Sequence, residues 1–180
     1  LADNGATAGG LTKTGAGTLM LTMTNAYTGA TTVNDGALAV NGSLISPVTV
    51  NSGATLTGTG VVNAAGTALT VASDGIVNPG AGGSIGTLTV TGDVSFASGS
   101  VLRADANGPD TDLLVVSGAV TAGTVTVDVV GAGTEDRLLM TAASITGTFT
   151  TELPGMLVKV MPGGTELWLK RNAGTLIKVY

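Results

Sequence analysis

The stretch TTVNDGALAV, Thr31–Val40, is a short apolar run, a polar break at Asn34–Gly36 and a second apolar run. Close copies return as VTVNSGATLTG at Val48–Gly58 and as LTVASDGIVNPG at Leu69–Gly80. Each copy reads as strand, tight turn, strand. Val and Thr favour extended backbone, and Gly, Asn and Asp favour the turn between. Aligned on Val33, Val50, Val71 and Val90, the copies are spaced 17, 21 and 19 residues apart. LLVVSGAV, Leu113–Val120, echoes LTVTGDV at Leu88–Val94. One such unit cannot bury its own apolar side, so each needs a neighbour above or below it.

Spacings near twenty that vary from copy to copy suit a coil whose turns change length while its strands stay in register. The expected architecture is an all-β, single-stranded parallel β-helix, with equivalent residues stacked about 4.8 Å apart. Val, Leu and Ile then form inward columns, and Thr, Asn and Ser face water. Gly36, Gly53 and Gly75 are expected at the tight turns, where positive φ is cheapest for glycine. Asn25, Asn34, Asn51 and Asn78 are expected in turns, with an Asn ladder wherever two align in successive coils. An antiparallel β-sandwich with many turns is the alternative.

Composition agrees with a narrow coil. Hydrophobic residues are 43% of the 180, but aromatics only 3%, so the apolar content is small and branched. Gly numbers 29, more than double the usual share. Glycine follows no strict triplet period, which excludes collagen. Charged residues are 11% and the net charge is -5, so nothing here neutralises a phosphate backbone and no nucleic-acid partner is expected. With neither Cys nor His, the chain offers no disulfide, no Cys/His zinc site and no Ser-His-Asp triad of its own. No run of about 18 apolar residues is present, and Leu1 follows no basic leader. The start therefore reads as a cut within a longer protein.

The C-terminal third changes character, carrying five of the seven basic residues. Two regions are expected: coils over 1–135 and a cap over 136–180. PGG at Pro162–Gly164 separates two alternating strands within Met156–Lys170, a strong hairpin signal. Leu157, Val160 or Met161, Leu167 and Leu169 are expected on its covered face, and Lys159 opposite Glu166. Trp168 is expected as a bulky plug on the last coil, with sugar stacking as its alternative use. Such a cap would cover the open strands and columns at a solenoid end, and would nucleate the coils before it.

GAGTLMLTMTNAYTGATTVNDGALAV, Gly15–Val40, closely resembles the passenger-associated repeat of bacterial autotransporters. It has the GxGTLxL start, Asn-x-Tyr-Thr-Gly at Asn25–Gly29, and TxVxxGxL at Thr31–Leu38. Gly75–Leu102 is similar to the segment that precedes the autochaperone region, and Asp110–Val120 and Ser144–Phe149 continue the likeness. The resemblance implies a right-handed β-helical passenger stem of type V secretion, extracellular or on the cell surface. Its implied partners are upstream passenger coils and an outer-membrane translocator barrel; the stem displays the passenger and aids its folding. Asn172–Tyr180 departs from the pattern and reads as a last strand, a linker or a foreign tail.

Candidate chemistry is sparse, and no catalytic, cofactor or metal residue is assigned. DANGPDTD, Asp105–Asp112, supplies hard oxygens at Asp105, Asn107, Asp110 and Asp112 that would suit Ca²⁺. The spacing is not that of an EF-hand, and a solvated turn is expected; Asp112 matches a commonly acidic structural position of the family it resembles. Asp35, Asp74 and Asp93 recur near turns and invite comparison with paired glycosidase carboxyls, but each has a simpler use in an Asx-turn. Arg103 and Arg137 are expected in salt bridges. Lys13, the only Lys before residue 150, has no Ser-x-x-Lys frame. A non-catalytic stem is the expected function, with an adhesin that binds host surfaces or self-associates as the alternative.

Overall fold

A computed structural model describes residues 1–5, 7–80, 83–131 and 135–172, with Ala64, Ala65 and Thr67 described by backbone alone. Beyond Asn172, the expected last strand or linker lies outside the described residues. The chain winds as a parallel β-helix in which each turn contributes to three sheets. Leu11–Lys13, Thr31–Val33, Val48–Val50 and the end of Val61–Val71 build the first sheet. Thr18–Leu21, Ala37–Val40, Thr55–Gly58, Ile76–Pro79 and Val101–Asn107 build the second. Thr24–Asn25, Ser43–Leu44, the start of Val61–Val71, the start of Thr87–Phe96 and Leu113–Val116 build the third. The longest strands, Val61–Val71, Thr87–Phe96 and Ala119–Val130, run through a corner and serve two sheets each.

The inward residues form columns. Val33 pairs with Val50 and Val50 with Val71, as the repeat predicts. Leu38, Leu56, Val77, Leu102 and Val127 stack in the second sheet. Leu44, Val62, Val90 and Val116 stack in the third. Nearly all of these side chains are fully buried. Burying a Val or Leu stabilises by about 1.5–3 kcal/mol, so a column gains at every added coil.

Val90 corrects the alignment. It lies on Val62 in the third sheet, and Phe96 is the residue that covers Val71. The coil after Val71 is longer, because the chain crosses Ile76–Pro79 and a loop before the next apolar pair at Leu88–Val90. All three sheets use the same Val-x-Val grammar, so sequence likeness alone placed Val90 in the wrong one. The echo at Leu113–Val120 does fall in place, with Leu88 on Leu114, Val90 on Val116 and Val94 on Val120.

The corners are tight. Gly36 and Gly53 are left-handed as expected (φ 65° and 76°), but at the third copy Asp74, not Gly75, takes the positive φ (59°). Gly75 serves close approach instead: a Cβ there would lie 3.0 Å from Val50 O and from Val71 Cγ1. Asn51 Nδ2 donates to Asn34 Oδ1 at 2.7 Å, the expected ladder between successive coils. Asn25 and Asn78 depart from expectation, since Asn25 ends the strand Thr24–Asn25 opposite Leu44 and Asn78 sits within Ile76–Pro79 opposite Thr57, neither of them in a turn.

The hairpin closes the far end. Met156–Val160 pairs antiparallel with Glu166–Arg171, which in turn pairs antiparallel with Arg137–Thr141 of the third sheet. Leu167 and Leu169 are fully buried as expected. Their partners across the hairpin are Val160 and Val158, so Leu157 falls on the opposite face, beside Lys170. Lys159 stands opposite Trp168, not Glu166. Trp168 is half-buried and does not plug the coil. Its outward indole donates from Nε1 to Glu166 Oε2 at 2.9 Å, and Lys170 Nζ lies 4.5 Å from its centroid. Alternation explains the swap, because the leucines on either side of Trp168 take the inward positions.

Backbone crowding predicts a sharp contrast between two glycines. Gly58 has φ 120°, and a Cβ there would lie 2.1 Å from Val40 O; Gly53 is left-handed but faces open space. Gly53→Ala should cost about 1–2 kcal/mol, the left-handed penalty alone. Gly58→Ala should cost more than that, because two coils must also move apart. Urea unfolding of both variants checks the order.

Candidate functional site

Among the described residues, no three of His, Cys, Asp and Glu come together as a metal site. The densest polar construction is the arm at Asp105–Asp112. Ala106 pairs with Thr111 and Asn107 with Asp110, making a small hairpin whose turn contains Gly108 at φ 59°. Asp112 pins its base. Its side chain is fully buried, Oδ1 accepts from Gly86 N–H at 2.7 Å, and Oδ2 accepts from Asp105 N–H at 2.8 Å. Gly80 makes room, since a Cβ there would lie 2.5 Å from Asp112 Oδ1. Burial raises the Asp112 pKa above the ordinary carboxyl value, outweighing the two N–H groups that lower it. Both oxygens are thus committed to backbone, in keeping with the structural role that the resemblance implies.

Arg137 reaches the same arm from the next coil. It is 3% exposed, and Nη1 donates to Asp110 O at 3.1 Å. The expected salt bridge is not made: the two ion pairs among the described residues are Arg103–Asp128 and Lys170–Asp136. Arg103 does behave as expected, at 2.8 Å from Asp128. Arg103 and Asp128 are each about two-fifths exposed, so the pair contributes little, about 0–1 kcal/mol.

Asp35, Asp74 and Asp93 do not converge. Asp35 and Asp74 follow the first sheet, with the Asn51–Gly53 turn stacked between them, whereas Asp93 precedes it at another corner. Asp35 Oδ1 accepts from Gly36 N–H, and Asp93 Oδ1 accepts from Ala119 N–H of the next coil. These are turn and coil-to-coil contacts.

Sequence reading missed the polar interior of the first coils. Lys13 pairs with Val33 and is 7% exposed, so a lysine occupies the column position that valine holds above it. Its ammonium donates to the carbonyls of Thr14, Gly15 and Asp35, binding two successive corners. Asn25 likewise ends the Leu44 column and donates to Met23 O and Ser43 O. Buried Tyr27, Thr31 and Ser46 share a chain of hydroxyl contacts, each 2.6 Å. The one sequence signal for Lys13 is its place immediately before a Gly-rich turn, where carbonyls are left without strand partners.

These geometries define a scaffold of stacked coils. Residues 11–40 match the passenger-associated-transport-repeat family. Over 154 residues, 79% of the chain, it is 41% identical to "Adhesin BmaC autotransporter" of Brucella suis biovar 1 (strain 1330). Over 92 residues, 51% of the chain, it is 49% identical to an "Extracellular serine protease" of Serratia marcescens. The chain spans 4% and 8% of those relatives' lengths. It is a β-solenoid that carries this repeat and is homologous to autotransporter passenger and adhesin proteins.

Two carboxylates have pH linkages of opposite sign. Asp136 is held below the ordinary carboxyl range, first by Arg171 N–H and then by Lys170. The folded state therefore binds fewer protons than the unfolded chain in acid. Its stabilisation is complete above the ordinary value and is lost as pH falls through the lowered one. Asp136→Asn should have a lower urea midpoint than the parent at pH 7, and the gap should close toward pH 2. Asp112 has the reverse linkage, with the folded state favouring the proton, so its contribution improves as pH falls from the raised value. Asp112→Asn, which turns one acceptor into a donor against a buried N–H, should cost about 1–3 kcal/mol at pH 7. It should also open the arm to proteolysis near Gly108, and millimolar Ca²⁺ should leave the parent melting temperature unchanged.

Proposed function

We propose that this chain is a non-catalytic β-helical stem of a bacterial surface protein exported by type V secretion, displaying upstream passenger coils. In this reading residues 136–172 form a cap and folding template, and the partner beyond it is an outer-membrane translocator barrel. The observation that carries the proposal is the asymmetry of the rod. At its far end the parallel third sheet turns antiparallel through Arg137–Thr141 and Glu166–Arg171, and buried Leu167 and Leu169 cover the last columns. At the other end Leu11–Lys13, Thr18–Leu21 and Thr24–Asn25 keep the parallel pairing of the coils. Similarity to an autotransporter adhesin and to an extracellular protease supports a location outside the cell, attached to or released from the outer membrane.

A template of this kind acts through stacking. A new coil gains hydrogen bonds and column contacts only where an ordered coil already exists, and a cap with its own antiparallel pairing supplies the first. Each added coil closes contacts over short sequence separations, which favours sequential growth. A chain without Cys cannot be trapped by premature disulfides on its way out.

Adhesion is the second reading, favoured by the likeness over 79% of the chain to a protein named as an adhesin. The outward Thr- and Asn-rich faces then serve as contact surface for host matrix or for another copy.

Removing residues 136–172 should lower refolding yield and protease resistance of the upstream coils. Replacing both Leu167 and Leu169 with Ala should act in the same direction, at about 2–5 kcal/mol for each truncation. Unchanged refolding in both variants would contradict the template role. Binding of the intact chain to matrix proteins, with refolding unaffected by cap removal, would favour the adhesin.

A further inference from the structure

Three Asn-Gly pairs occur in the chain, at Asn4–Gly5, Asn41–Gly42 and Asn107–Gly108. In such a pair the glycine nitrogen can attack the asparagine side-chain carbonyl, because glycine has no side chain to hinder the ring that forms. We propose that Asn107 is a site of self-catalysed deamidation, and that its isoaspartate product releases the Asp105–Asp112 arm. This goes beyond the stem reading and does not depend on it.

The folded chain sorts these pairs. Ring closure swings the Asn-Gly peptide, so it needs an unbonded N–H, an unbonded side chain and room to turn. Asn41–Gly42 has none of these. Gly42 N–H donates to Leu21 O at 2.9 Å, Asn41 Oδ1 accepts from Thr59 N–H at 3.2 Å, and a Cβ on Gly42 would collide with Met23 O. Asn107–Gly108 has all three. Both residues are exposed at the tip of the arm, and a Cβ on Gly108 would meet nothing within 4 Å. Among the described residues, neither the Asn107 side chain nor the Gly108 N–H has a hydrogen-bond partner. Asn4–Gly5 is also exposed, with open space at Gly5, and serves as an unhindered reference.

The reaction balances with water alone. Gly108 N bonds to Asn107 Cγ and gives up its proton, the side-chain nitrogen leaves as ammonia, and a cyclic succinimide results. Water then opens one of its two carbonyls. One opening gives an ordinary aspartate; the other gives isoaspartate, whose main chain runs through the former side chain and is longer by one methylene. The arm has no slack for that atom. Gly108 and Pro109 form a two-residue turn, fixed by the pairing of Ala106 with Thr111 and of Asn107 with Asp110. The new carboxylate also falls opposite Asp110, and like charges opposed across paired strands destabilise the pairing. Asp110 O then leaves Arg137 Nη1, the contact that ties the arm to the next coil.

The test ages the intact folded chain in mildly alkaline buffer beside a guanidinium-unfolded sample, then digests both with trypsin under denaturing conditions for mass spectrometry. Cleavage after Arg103 and Arg137 gives a peptide in which Asn107 is the single asparagine. In the unfolded sample Asn41 and Asn107 should convert at similar rates. In the folded sample Asn107 should still convert, as Asn4 does, while Asn41 should be slower by about tenfold or more, since it reacts only through local opening. Isoaspartate in the 104–137 peptide should appear together with new cleavage of the aged, folded chain by proteinase K near Gly108. Asn107→Gln, which must close a larger and slower ring, should show neither. A folded chain in which Asn107 stays intact, or in which Asn41 converts as fast as Asn107, would overturn the modification site. Isoaspartate without cleavage of the arm, or the same cleavage in aged Asn107→Gln, would overturn the release of the arm.

Discussion

The structure depends on register between parallel strands of successive coils. Each inward side chain is buried only because the coil above or below presents an equivalent residue at one strand spacing. Val33 under Val50 under Val71 is the simplest instance. A slip of one residue would turn a whole column toward water. Turn length is free to vary, strand register is not, and the uneven spacings of the repeat record that difference.

The remaining features are consequences of keeping coils close. Corners must let neighbouring backbones touch, so glycines stand where a carbonyl of the adjacent coil occupies the Cβ position, as at Gly42 against Met23 O and Gly60 against Gly42 O. Polar groups drawn inside by the winding must find partners on neighbouring turns. Asp112 and Lys13 do so by bonding across coils. A rod of this kind also has two ends, and the change from parallel to antiparallel pairing at Glu166–Arg171 settles one of them. The cap and the coils are thus two solutions to the same exposure of strand edge and apolar column.

Most of the architecture was legible because period and turn chemistry repeat. Val-x-Val runs, Asn-Asp-Gly breaks and the Pro162–Gly164 hairpin located strands and turns. What the sequence left ambiguous was the assignment of a run to a sheet, since all three sheets use one vocabulary; Val90 was misplaced for that reason. Side-chain facing in the cap hung on a single register step, which exchanged Leu157 for Val158 and put Trp168 outside. The polar interior was not legible, because Lys13 and Tyr27 take column and core positions through contacts with distant carbonyls and hydroxyls. Arg137 had a readable charge but not a readable burial, which comes from the arm folding over it.

Stacked coils, a covered end and homology to autotransporter passenger and adhesin proteins make one account, in which the chain is a structural rod. Its central claim is the register itself, and the absence of cysteine makes that directly measurable by cross-linking. Asn34 and Asn51 stack in successive coils, at a spacing within the Cα range of a disulfide, about 4.4–6.8 Å. The double variant N34C/N51C should close an intramolecular disulfide under mild oxidation without loss of folded structure, whereas N34C/S52C, one residue out of register, should not. Preferential closure of N34C/S52C, or failure of N34C/N51C in a folded chain, would contradict the stacked-coil account.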